Sequence, residues 1–169
     1  MGSEHAGGDG GRIREFRSGD VAEVEKIIRE AREAAQWSQP ELRNMGELGG
    51  LKAYVSETSG GISGIVIGRQ VADEGEILNL AVRAAKRRSG EGKRLVERIL
   101  EEFSILGISR VFLEVRESNA GAIAFYEGMG FREIGRRSDY YQDPKEAARV
   151  MELWLRKSTE QGEIVRTRS

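Results

Sequence analysis

The 169-residue chain has no cysteine and one histidine, His5. Without thiols it forms no disulfide, offers no thiolate to a metal and has no cysteine nucleophile, and a reducing compartment suits it. His5 falls in "GSEHAGGDGG", a glycine-rich stretch that reads as a disordered segment over residues 1–11. Histidine catalysis and most zinc chemistry are therefore not expected of the folded part, and no metal is expected. Long apolar runs are also missing. Nothing approaches the ~18 consecutive apolar residues that span a bilayer, and no charged stretch leads into a short apolar one, so a cytoplasmic protein without membrane contact is expected. Nor is there an excess of one charge: 27 basic residues stand against 28 acidic ones, which leaves no global basic field for nucleic acid. What remains, 38% hydrophobic and 33% charged, suits one ordinary core, with monomer or weak dimer as the expected state.

Strands and helices alternate along the chain. "RIREFRS" alternates like a strand, and Ser18-Gly19-Asp20 offers a cap for "VAEVEKIIREAREAA", where Val21, Val24, Ile27, Ile28 and Ala31 recur at helical spacing. "SQPELRNM" reads as a short helix with Pro40 in its first turn. "LKAYVSET", "ISGIVIGRQV" and "GEILNLAVR" read as an antiparallel meander, separated by the turns "SGG" and "ADEG". A helix then carries Leu95, Ile99, Phe103 and Leu106 on one face until Gly107 ends it. "SRVFLEVR" is a strand, and a helix from Ser118-Asn119 runs through "AGAIAFYE" to Gly128 and Gly130. "FREIGRR" and "VMELWLR" read as two last strands around a loop "SDYYQDPKEAA". The expected fold class is α/β or α+β with a mixed sheet: a folded domain over residues 12–156, then a loose polar tail over 157–169.

The chemistry concentrates in "AKRRSGEGKRLVERIL", residues 85–100. A glycine-rich turn entering a helix points backbone N–H groups and the positive dipole end at one spot, the usual preparation for phosphate. A Walker loop is excluded twice: Arg87 stands where its first glycine belongs and Arg94 where its hydroxyl belongs. A dinucleotide fingerprint fails at Leu95, in the place of the third small residue. Alone, Gly90 and Gly92 could equally make an ordinary loop, and the basic run Lys86–Arg88 a solvated turn.

The stretch "NLAVRAAKRRSGEGKRLVE" resembles motif A of the GNAT superfamily of acetyl-coenzyme A dependent N-acetyltransferases, R-x-x-G-x-G after a strand. "LEVRESNAGAIAFYEGMGF" resembles its second signature, in particular that of the RimI-type ribosomal-protein-alanine N-acetyltransferases. "QWS" at residues 36–38, "ILNLAV" and "RRSDYY" match as well, so the resemblance covers roughly residues 12–156. It implies a GNAT fold, a central, mostly antiparallel sheet of six to seven strands flanked by about four helices. It implies acetyl-coenzyme A as cosubstrate and transfer to the α-amine of a protein N-terminus, of the kind a ribosomal small-subunit protein presents. A GNAT enzyme of small amines and a non-catalytic acetyl-coenzyme A binding domain stay open as alternatives.

The resemblance also distributes roles. The turn Arg87, Arg88, Ser89, Gly90, Glu91, Gly92 and Lys93 would bind the pyrophosphate, largely through backbone N–H groups, with Arg87, Arg88 and Lys93 adding charge. Leu80, Ala81 and Val82 would pair their backbone with the pantetheine amides, and Asn119 would hold the same arm as well as cap its helix. Glu114 takes the position of the general base and Tyr126 that of the general acid. Tyr140 and Tyr141 would border the acceptor groove. The one departure is Glu91, where the family usually carries an aliphatic residue: a carboxylate suits the helix dipole but repels pyrophosphate, so its direction decides its effect.

Overall fold

The computed structural model describes residues 10–156. The proposed tail over residues 157–169, and all of the N-terminal segment but Gly10 and Gly11, lie outside them, as does His5. In chain order the elements are β1 (Arg12–Glu15), α1 (Val21–Glu30), α2 (Gln39–Asn44), β2 (Leu51–Thr58), β3 (Gly61–Val71), β4 (Glu74–Val82), α3 (Glu91–Ile105), β5 (Arg110–Arg116), α4 (Ala120–Gly128), β6 (Arg132–Gln142) and β7 (Lys145–Trp154). The strands form one sheet in the order β1-β2-β3-β4-β5-β7-β6. All pairs are antiparallel except β4 with β5, whose crossover is α3.

Helices cover both faces of the sheet. Val24, Ile27 and Ile28 of α1 and Leu42 of α2 bury against Val55, Ile65, Ile67 and Ala81 on one side. On the other side α3 lays Leu95, Ile99 and Phe103 over Tyr54, Val66, Ile77 and Leu113. This close approach needs glycine in the strands. A Cβ on Gly75 would stand 2.8 Å from the Phe103 ring, and one on Gly68 would stand 2.8 Å from both Phe103 and Ile99. Short local signals set the smaller pieces: Ser38 caps α2 in a reciprocal box with Glu41, with Pro40 in the first turn.

Three expectations are corrected. The first helix stops at Glu30 rather than running through "AREAA", because Gln36 folds back and donates its amide to the carbonyls of Ile28 (3.2 Å), Ala31 (3.4 Å) and Ala34 (3.0 Å). Those acceptors are satisfied without another helical turn. Leu106 does not share the core face of α3; it is the C-cap and is 40% exposed, and the following Ile108 takes the buried place. The loop expected over "SDYYQDPKEAA" is mostly a hairpin, with β6 and β7 paired as far as Gln142↔Lys145 around a turn at Asp143 and Pro144. Its β6 strand is exposed on both sides, so no apolar alternation announces it.

The β3–β4 register shifts between Ile67 and Gly68, which pair with Asn79 and Ile77 and leave Leu78 as an extra residue in β4. Before this bulge Gly75 and Ile77 face α3; after it Leu80 and Val82 do, while Ala81 turns to α1. Replacing Phe103 by alanine should cost about 3–5 kcal/mol, since the ring is fully buried against two glycines that cannot fill the space. Urea unfolding followed by circular dichroism checks this; a loss below about 1 kcal/mol would contradict the packing described.

Candidate active site

The bulge opens the sheet. β4 pairs with β5 only from Glu74↔Arg110 to Ile77↔Leu113, and from Leu78 onward the two strands have no ladder between them. β4 continues beside β3 as far as Val82, and β5 beside β7 as far as Arg116. A gap thus opens with Leu80 to Val82, paired with β3 but not with β5, on one side and the C-terminal half of β5, carrying Glu114, on the other.

The start of α3 faces the same cleft. Its first intrahelical bond runs from the Arg94 N–H to the Gly90 carbonyl at 3.1 Å, so the N–H groups of Glu91, Gly92 and Lys93 have no helical acceptor. No side chain caps them, whereas Ser38 and Asn119 cap α2 and α4. Arg88 (φ 60°) and Gly90 (φ 84°) curl the backbone on either side of Ser89. A Cβ on Gly92 would lie 3.7 Å from Phe125 and 3.8 Å from Leu80 and Val82, so this residue joins the turn to β4 and to α4. Ser89 donates to the Lys86 carbonyl at 2.6 Å, and the Arg87 Nε donates to the Val82 carbonyl at 3.1 Å, which fixes the turn against the end of β4.

Glu91 is resolved by direction. Its side chain is 3% exposed and accepts a hydrogen bond from the Ser63 hydroxyl on β3, so the carboxylate turns inward, away from the mouth of the helix.

Glu114, on β5, is paired with Arg137 at 2.9 Å. The nearby Glu114 carboxylate, with burial, pushes the Tyr140 hydroxyl up to about 12. Tyr126 lies in α4 among Phe125 and Phe131, with ring centroids 5.0 and 5.5 Å away in edge-to-face contact. Burial raises its hydroxyl above the ordinary phenol range, so it keeps its proton at any working pH. Asn119 caps α4, its Oδ1 accepting from the Ala122 N–H at 3.0 Å. Tyr140 and Tyr141 stand at the end of β6 in edge-to-face contact at 5.0 Å, and the Arg116 guanidinium lies 4.0 Å above the Tyr141 ring. Burial raises the Tyr141 hydroxyl as well.

Residues 21–131 match the Acetyltransferase (GNAT) family. The chain belongs to that family. The [Ribosomal protein bS18]-alanine N-acetyltransferase of Escherichia coli K12 is 39% identical over 97 residues, 56% of this chain and 66% of that protein. The chain therefore spans just under two thirds of that relative. The protein of the same name from Haemophilus ducreyi is 33% identical over 131 residues, 76% of this chain and 90% of its own length. The crystal structure of the ribosomal-protein-S18-alanine N-acetyltransferase from Escherichia coli superposes with a TM-score of 0.76 at 29% identity, covering 91% of this chain and 98% of that one. The mixed seven-stranded sheet flanked by four helices is the GNAT fold.

The residues present fit the family's cosubstrate, acetyl-coenzyme A. An uncapped helix start suits a pyrophosphate, and unpaired strand backbone suits an arm that carries amides. Among the described residues no group of three or more acidic or histidine side chains could hold a metal ion, and no helix is long and apolar enough to cross a membrane.

Two residues of this site were missed in the sequence. Gln36 drew notice only through "QWS", yet it shapes the loop between α1 and α2. Asn79, buried on β4 beside the bulge, donates its amide to the Ala35 carbonyl and ties that loop to the strand. Its signal was a polar residue inside the apolar run "EILNLAV".

Acetyl-coenzyme A at about a hundred times its dissociation constant should stabilise the protein by about 2.7 kcal/mol through linkage. Gly92→Val should fold, since the added Cβ meets only ordinary contacts inside the protein, and should lose that gain. Thermal denaturation with and without the compound checks both; a variant that keeps the full shift removes Gly92 from the pyrophosphate site.

Proposed function

We propose that the protein transfers the acetyl group of acetyl-coenzyme A to the α-amine of a protein N-terminus, with alanine as first residue, and that a ribosomal small-subunit protein in the cytoplasm presents it. The observation that carries this reading is the meeting of an uncapped α3 start with the parted strands β4 and β5, the second of which carries Glu114. The names of the relatives from Escherichia coli and Haemophilus ducreyi support the choice of acceptor.

Arg88 to Lys93 hold the pyrophosphate through the main chain, Arg87, Arg88 and Lys93 add charge, and Leu80, Ala81, Val82 and Asn119 hold the pantetheine arm. When bound, acetyl-coenzyme A supplies an acyl carbon already activated as a thioester, to which the acceptor nitrogen bonds as the carbon–sulfur bond breaks. Glu114 receives the proton the amine loses, through a water. Tyr126, kept protonated by burial, gives its proton to the departing sulfur. No acyl-enzyme is needed, and the chain has no cysteine to form one. An α-amine titrates near 7.7–8.0 and a lysine near about 10.4, so the former is partly neutral at working pH and needs only a modest base. Tyr140 and Tyr141, packed edge to face, form one wall for the first residues of the acceptor.

Glu114→Gln and Tyr126→Phe should each lower kcat by roughly 10²- to 10⁴-fold with little change in acetyl-coenzyme A binding. The Glu114→Gln loss should shrink at raised pH, where more of the amine is already neutral. Near-normal turnover in both variants would refute these roles. In a peptide assay read by mass spectrometry, a peptide beginning with alanine should be acetylated at its α-amine, and blocking that amine should stop the reaction even with lysines present. Acetylation of lysine side chains or of spermidine instead would replace this reading with a small-amine or lysine acceptor.

A further inference from the structure

We infer that Arg137 is a positioning residue, which with Tyr140 orients the Glu114 carboxylate for its work on the acceptor amine. The inference rests on the reading of Glu114 as the base. In a regular strand, residues three apart point to opposite faces of a sheet, so Arg137 and Tyr140 of one strand should not meet the same group. Here both do: Arg137 pairs with Glu114 at 2.9 Å, and the same carboxylate stands close enough to the Tyr140 hydroxyl to raise it. The register of β6 against β7 breaks between Arg137 and Tyr141, and Asp139 within the break takes φ 53°. Such an interruption re-aims side chains. The guanidinium lies 5.5 Å from the Tyr140 ring centroid, so the two side chains also brace each other.

The neighbouring charges are already engaged. Arg116, two residues along β5, pairs with Glu146 of β7 at 3.4 Å and covers Tyr141, and Arg136 pairs with Glu117 at 2.9 Å. Arg137 is thus the cation that the described ion pairs give to Glu114. A carboxylate has about four lone-pair sites, so the ion pair with Arg137 leaves acceptor capacity for a water or an amine while limiting rotation. Glu114 itself is recessed, with 17% of its side chain exposed, whereas 59% of the Arg137 side chain is exposed. An arginine so placed adds little to the core, and its value lies in what it holds.

Steady-state kinetics on an alanine-initiated peptide with acetyl-coenzyme A tests this in a cycle of Arg137→Ala, Glu114→Gln and the double variant, with Arg137→Lys as the conservative control. Arg137→Ala should lower kcat about tenfold and leave the acetyl-coenzyme A KM unchanged, and Arg137→Lys should recover most of the loss. On the Glu114→Gln background, removing Arg137 should change kcat less than about twofold, because residues that act through one another are not additive. Wild-type kcat in Arg137→Ala, or the same tenfold fall on both backgrounds, overturns the inference and leaves the proposed function standing. A wild-type protein that acetylates no peptide overturns both.

Discussion

One extra residue in β4 governs the site. Leu78 breaks the register with β3, and at that point β4 and β5 cease to be neighbours. A sheet of regular strands would carry its ladder to the end and leave no unpaired backbone in its middle. Here the ladder is interrupted in the interior of the domain, where both strands are held from outside, β4 by β3 and β5 by β7. The parted backbone is thus held from its outer sides, while the sides that face the gap have no strand partner.

The two walls of the cleft are finished by different means. On the β4 side the chemistry is almost wholly main chain: an uncapped helix start, two residues of positive φ, and strand backbone. Side chains there are tied back, Glu91 to Ser63 and Arg87 to Val82. On the β5 side it is almost wholly side chain, with Glu114 of β5 paired to Arg137 of β6. Backbone geometry constrains the first wall, whereas the second depends on side chains that substitution can alter.

Much of this arrangement could be read before the structure, and the boundary follows the range of the interactions. Local signals were legible: Ser38, Pro40 and Glu41 announce α2, and the spacing of Leu95, Ile99 and Phe103 announces the buried face of α3. Where a side chain answers to a distant strand, the pattern is silent. Glu91 looked like a repulsive charge beside a phosphate because nothing nearby reveals Ser63, 28 residues earlier in the chain. The β6–β7 hairpin was hidden by its polarity, and the meeting of Arg137 with Tyr140 by a register break that no periodicity anticipates. Gln36 ended α1 early through bonds to backbone carbonyls, which leave no trace in the residue types they satisfy.

That last feature bears on how such a protein can diverge. Because the Gln36 amide grips main-chain oxygens, the loop keeps its shape whatever side chains stand at its exposed positions, such as Arg32 and Glu33. The Asn79 amide anchors the same loop through another main-chain oxygen, that of Ala35. Two carboxamides thus act as a fixed frame with interchangeable panels. Lineages can exchange the residues at those exposed positions without disturbing the sheet beneath, so the surface of the loop can drift while the fold and its stability stay where they are.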